Sequence, residues 1–187
     1  MIVNIRGTSG TGKSHVARQV MGLYTGGKWV FWQGGRKQPI GYVLGRPKGV
    51  GGPSLAVIGH YETACGGTDT ISGYALIFEL IRKAHASGYD VLYEGLLLSG
   101  DVKWTGSLLP LPLVVVGLDV PVSVCIDSIN QRRWAKNPDK PPVNPANTLA
   151  KVRGTQLSME RLAKLGVRTV WATREEALNV IRGELNI

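Results

Sequence analysis

Gly7-Thr8-Ser9-Gly10-Thr11-Gly12-Lys13-Ser14 satisfies G-x-x-x-x-G-K-[ST] at every fixed position. Glycines at that spacing let a turn aim its backbone N–H groups inward, around phosphate oxygens. A helix starting at the end of the turn adds the positive end of its dipole. In such a loop Lys13 reaches the β- and γ-phosphates, and the Ser14 hydroxyl suits Mg²⁺. The chemistry implied is binding of a nucleoside triphosphate with Mg²⁺ by residues 7–14. The flanks agree with it. Ile2-Val3-Asn4-Ile5 reads as a short buried strand, and Val16, Ala17, Val20 and Leu23 recur at helical spacing.

Carboxylates that could complete such a site must lie at the ends of neighbouring strands. Leu55–Gly59 reads as a core strand and leads into His60-Tyr61-Glu62-Thr63-Ala64-Cys65-Gly66-Gly67-Thr68-Asp69-Thr70. Ligands bind just past the carboxyl ends of strands in open α/β sheets. Asp69 is therefore read as a general base for an attacking hydroxyl, with an N-cap of the next helix as the alternative. His60 and Tyr61 are candidates for substrate contact, with a structural hydrogen bond as the alternative for His60. Asp90–Gly95 reads as another strand that ends in Glu94, which could hold Mg²⁺ or substrate. Asp101 is a weaker carboxylate candidate. Arg132, Arg133 and Arg153 flank the proline-rich segment 137–145, where they suit a lid that stabilises charge on a transferring phosphoryl group. Solvated helix ends are the alternative.

The remaining elements are those needed to position these groups. Residues 28–32 and 40–44 are β-favouring runs around Gly34-Gly35 and predict a hairpin. Trp29, Phe31, Trp32 and Tyr42 interleave there with Lys28, Arg36 and Lys37, a pattern suited to stacking on bases while cations hold a phosphate backbone, with half-buried packing beside a solvated turn as the alternative. Trp32, Arg36 and Lys37 are the substrate-binding candidates in it. Helices are expected over 71–87, from Pro121 to about Trp134, over 151–164 and over 175–182, with Thr173 as a cap. Leu113–Asp119 reads as a central strand and Arg168–Trp171 as the last one.

The chain has 187 residues, which suits one domain spanning 1–187, with an inserted hairpin and loop at 28–48 and a lid at 133–150. Net charge is +9. No Asp or Glu occurs from Met1 to Tyr61, whereas Arg6, Lys13, Arg18, Lys28, Arg36, Lys37, Arg46 and Lys48 all fall there. That asymmetry points to a polyanionic partner. The apolar runs are too short for a bilayer and the N-terminus has no secretory pattern. Cys65 and Cys125 have neither zinc spacing nor a disulfide framework, and read as reduced thiols in a cytoplasm.

Strand, loop and helix in this order resemble the nucleoside-monophosphate-kinase-like group of phosphate-loop kinases along the whole chain. The resemblance implies a three-layer α/β/α sandwich, a five-stranded parallel sheet of order 2-3-1-4-5, and phosphoryl transfer from ATP with Mg²⁺. It also implies an acceptor-activating role for Asp69 and lid roles for Arg132, Arg133 and Arg153. Monophosphate kinases carry an acid-arginine pair near the third strand, whereas here Glu94 is followed by Gly95. A narrower resemblance rests on GTSGTGKS, the aromatic-basic hairpin and GHYETACGGTDT. These are similar to phage-encoded kinases that phosphorylate 5-hydroxymethyluracil within DNA, which implies a hydroxymethylated DNA partner and a location in the host cytoplasm. A kinase of a free nucleotide or small alcohol, and a non-transferring NTPase, are the competing functions.

Overall fold

Every residue of β1 (Ile2–Arg6) is buried. The strand lies between two parallel partners, β5 (Asp90–Glu94) and β6 (Leu113–Leu118). The computed structural model describes residues 1–32, 34–64, 66–95 and 101–187. Among them the fold is α/β, with one seven-stranded sheet of order β2-β3-β4-β5-β1-β6-β7. The other strands are β2 (Lys28–Phe31), β3 (Gly41–Leu44), β4 (Leu55–Ile58) and β7 (Arg168–Ala172).

The expected count of five strands is therefore too low. β4, β5, β1, β6 and β7 are parallel, and the hairpin β2–β3 joins them antiparallel at β4. The hairpin extends the sheet because β3 alternates. Tyr42 and Leu44 enter the core beside Leu55 and Val57, and burying such side chains contributes about 1.5–3 kcal/mol each. β2 has nothing beyond it in the sheet, and all four of its residues are exposed.

Helices cover both faces. α1 (Lys13–Gly22) and α6 (Arg174–Leu185) pack Val16, Val20, Ala177 and Ile181 on one side. On the other, α2 (Tyr74–Ala86) and α5 (Pro145–Lys164) pack Ile77, Phe78, Ile81, Met159 and Leu162. α3 (Asp101–Gly106) and α4 (Val122–Lys136) complete the set among the described residues. α2 starts later than expected, behind a 3₁₀ turn at Thr68–Thr70 and Gly73. α5 starts earlier than expected. Pro145 occupies its first turn and the Asn144 side chain accepts from the Ala146 N–H at 2.9 Å. Within 133–150, residues 137–144 alone lie outside helices. Thr173 and Glu176 form a reciprocal capping box at α6, as Thr173 promised. Cys125 is a buried free thiol; Cys65 lies outside the described residues.

Two charged residues sit elsewhere than expected. Arg6 is 0% exposed, so it is no part of a basic surface. Its Nε donates to Asn4 Oδ1 at 2.7 Å, and its Nη2 to Asp101 Oδ1 and Thr105 Oγ1, both at 2.9 Å. Its Nη1 donates to Ser158 Oγ at 2.5 Å and pairs with Asp101 Oδ2. Asp101 is consequently a buried structural counterion. This network ties the end of β1 to α3 and α5. Asp101→Ala strands a buried guanidinium, and loss of one partner of such a pair costs about 3–5 kcal/mol. The denaturant midpoint should fall accordingly with an unchanged slope; a change within about 0.5 kcal/mol, typical of a surface site, would refute the account.

Candidate active site

The register of the central strands assembles the site. Ile5 of β1 pairs with Glu94 of β5, so residues 7–14 leave the sheet beside that carboxylate. α1 then begins at Lys13, with Gly12 as its cap. The result is a cleft of about 370 Å³ lined by loop and helix residues together with Asp69, Glu94, Gln131, Arg132 and Arg174.

Lys13 folds back over the loop. Its Nζ donates to Gly7 O at 2.8 Å and Thr8 O at 3.1 Å. Burial pushes its pKa down, while Glu94 and Asp69 pull the other way. Ser14 Oγ donates to Glu94 Oε1 at 2.5 Å. Glu94 is 1% exposed, and its Oε2 has no hydrogen-bond partner among the described residues. Burial pushes the Glu94 carboxyl up, opposed by the Ser14 hydrogen bond and by Lys13. An unpartnered carboxylate oxygen beside a serine hydroxyl is a hard-oxygen donor set of the kind Mg²⁺ accepts. No cluster of three or more His, Cys, Asp or Glu residues that could cage a metal occurs among the described residues.

Asp69 lies on the 3₁₀ turn, exposed, and lines the cleft. Gly73 caps α2 without any side-chain cap, so Asp69 is not spent as an N-cap. A Cβ placed on Gly95 would lie 2.8 Å from Asp69 Oδ1, and Gly95 has φ 103°. Asp69 thus occupies the space a side chain at position 95 would need.

The segment carrying Asp69 is fastened from three sides. Thr68 Oγ1 donates to Glu94 O at 2.9 Å, and the Gly66 N–H donates to Ser14 Oγ at 3.3 Å. Arg18 donates to Ser14 O at 3.4 Å, to Tyr61 O at 3.3 Å and to Thr63 O, with its guanidinium 5.7 Å from the Tyr61 ring centre. His60 is 2% exposed, its Nδ1 3.1 Å from Thr70 Oγ1 and its Nε2 3.0 Å from Thr63 Oγ1. Both nitrogens are thereby engaged within the segment. Tyr61 is buried, with a hydroxyl pushed well above its ordinary pKa by burial.

The remaining candidates divide. Arg132 lines the cleft; Arg133 and Arg153 do not. Arg133 is half-buried and Arg153 exposed on α5. Arg36 donates to Thr70 O at 3.0 Å, so the hairpin touches the residue next to Asp69. Lys37 is exposed, and Trp32 is 62% exposed.

No family model matches the chain. It is 47% identical over 183 residues to the "5-hmdU DNA kinase" of Pseudomonas phage PaMx11, across 97% of this chain and 95% of that relative. The chain belongs to the 5-hmdU DNA kinase family.

Two cleft arginines of this family member escaped the sequence reading. Arg18 stands four residues after Ser14, on the same face of α1, and that spacing could have found it. Arg174 donates to Thr11 O at 2.8 Å and Gly10 O at 3.2 Å. It lies 163 residues from Thr11, and no local pattern announces the contact.

His60 also carries a pH dependence. Burial and the nearby Arg36 and Arg18 lower its pKa, against Glu62. A histidine kept neutral in the fold contributes stability that is lost as pH falls through its unfolded value, about 6.5. Unfolding stability should therefore decline between pH 7.5 and 5.5 more steeply than in His60→Gln. Parallel curves for the two proteins would refute it.

Proposed function

We infer that this protein transfers the γ-phosphoryl group of ATP to the hydroxymethyl group of 5-hydroxymethyluracil in DNA. The observation that carries the reading is near-full-length identity to a 5-hmdU DNA kinase, joined to a cleft where Asp69 faces the glycine loop.

Residues 7–14 act as the phosphate-binding loop. Their backbone N–H groups hold the triphosphate at the start of α1, and Lys13 turns from its own loop carbonyls to the β- and γ-phosphates. Ser14 and Glu94 would hold Mg²⁺, which would neutralise charge on the phosphate oxygens. Asp69 accepts the hydroxymethyl proton as that oxygen attacks the γ-phosphorus. The bond from phosphorus to the β–γ bridging oxygen breaks, and ADP leaves. Arg132 stabilises the charge spread over the transferring group. Arg133 and Arg153 serve a lid, which requires the helix ends around 137–144 to move inward. DNA lies across the hairpin, with Trp32, Arg36 and Lys37 as contacts; His60 and Tyr61 act on substrate through the segment they brace. The protein works as a single domain in the cytoplasm of the infected host. No helix among the described residues is long and apolar enough to cross a membrane.

The test is transfer of a labelled γ-phosphate to DNA containing 5-hydroxymethyluracil, beside ordinary DNA, the free nucleoside and its monophosphate. Label should enter hydroxymethylated DNA alone, and transfer should fall steeply with salt. Lys13→Ala should abolish it. Asp69→Asn should lower kcat by roughly 10²- to 10⁴-fold, the usual contribution of a positioned base, with ATP affinity retained. Label in the free monophosphate would mean a nucleotide kinase, and phosphate release without labelled acceptor an NTPase.

A further inference from the structure

α2 packs against β4 and β5 and leaves the same face of β3 and β2 uncovered. Between α2 and the hairpin lies an apolar cavity of about 440 Å³. Its floor is Gly41, Val43 and Ala56, its helix wall Leu76, Leu80 and Ala84, and its outer wall Phe31 and Trp32. The floor is bare at position 41 for a backbone reason. A Cβ there would lie 2.5 Å from Val57 O, so the β3–β4 register admits no side chain.

We propose that this slot is a second base-binding subsite, which takes a nucleobase flanking the modified one on the same DNA strand; it rests on the DNA-kinase reading above. Three observations favour that occupant. The walls are an aromatic pair and an aliphatic helix face, which suit a planar ring between them. Among the described residues no acid lines the cavity; its charged lining residue, Lys83, is paired with Glu79 at 2.6 Å, so the cations open to a ligand are those of the turn beyond Trp32, Arg36 and Lys37. A phosphate backbone finds cations at that turn, and the planar slot beside them suits a base rather than the carboxylate side chains of an acidic peptide, which those cations would also attract. The hairpin turn also links the slot to the acceptor segment. Arg36, on the turn after Trp32, is hydrogen-bonded to Thr70, the neighbour of Asp69. A strand with its hydroxymethylated base at Asp69 crosses Arg36 and sets the next base against Trp32 and Phe31. The flanking base is thereby held while the target is exposed, which offsets part of the unstacking that a base leaving the stack requires.

The experiment pairs altered DNA with altered protein. 5-Hydroxymethyluracil oligonucleotides carry an abasic residue at each of the two positions on either side of the target. In the unaltered protein, one of these positions should raise the KM for DNA by about tenfold, within the range of base stacking on an aromatic side chain. Ala84→Trp fills the slot from α2, away from the ATP cleft. It should raise the KM for intact DNA to a similar degree and be insensitive to that abasic residue, with kcat and the KM for ATP unchanged. Phe31→Ala, on the exposed strand where folding is not at stake, should also lose the abasic sensitivity. Full sensitivity in both variants, or none at any flanking position in the unaltered protein, overturns the slot. A dimer that Ala84→Trp dissociates, with no abasic effect, overturns it in favour of a second copy. These outcomes leave the reaction intact. Absence of label from every hydroxymethylated DNA removes the reaction and the slot together.

Discussion

A guanidinium sits fully buried one residue ahead of the glycine loop. Burying a charge is tolerable when it is paired and its donors are satisfied, and Arg6 meets both conditions through Asn4, Asp101, Thr105 and Ser158. Those partners belong to β1, α3 and α5. The end of β1 is therefore pinned to two helices on one face of the sheet, while α1 continues the chain on the other. The glycine loop departs from a point that has little freedom to shift, as a site built on rigid elements requires.

From that fixed point, the two halves of the cleft hold each other. Ser14 joins Glu94, Thr68 joins the Glu94 carbonyl, and Arg18 reaches from α1 to the segment after β4. The segment that carries Asp69 has no regular structure beyond a 3₁₀ turn, yet it is braced by side chains from both neighbouring elements. His60, engaged at both ring nitrogens, belongs to that bracing. The acid that faces the loop is thus positioned by contacts that do not themselves touch a reacting atom.

What was legible in the sequence was local. The glycine loop announces itself because its glycines, lysine and serine are consecutive. Asp69 and Glu94 were found because acids past strand ends point into the same edge of the sheet. The hairpin was visible in its aromatic runs, but its addition to β4 was not, since that depends on Tyr42 and Leu44 meeting Val57 and Leu55 across the sheet. Arg6 and Asp101 read as a surface cation and a loose carboxylate, because their burial is decided by partners 95 residues apart. Arg174 was invisible for the same reason. The proline-rich segment gave the right place for an irregular stretch but overstated its length, since Pro145 starts a helix as readily as it ends one.

Gly95 has a consequence for the acid it faces. Asp69 Oδ1 lies 2.8 Å from where a Cβ would stand, so a side chain added at position 95 bears directly on the acid. A side chain there would have to displace the Asp69 carboxylate and the Thr68 hydroxyl, and would itself sit at a positive φ. The acid that lines the cleft and the glycine opposite it therefore share one small volume, and a larger residue at position 95 acts first on where the Asp69 carboxylate can stand.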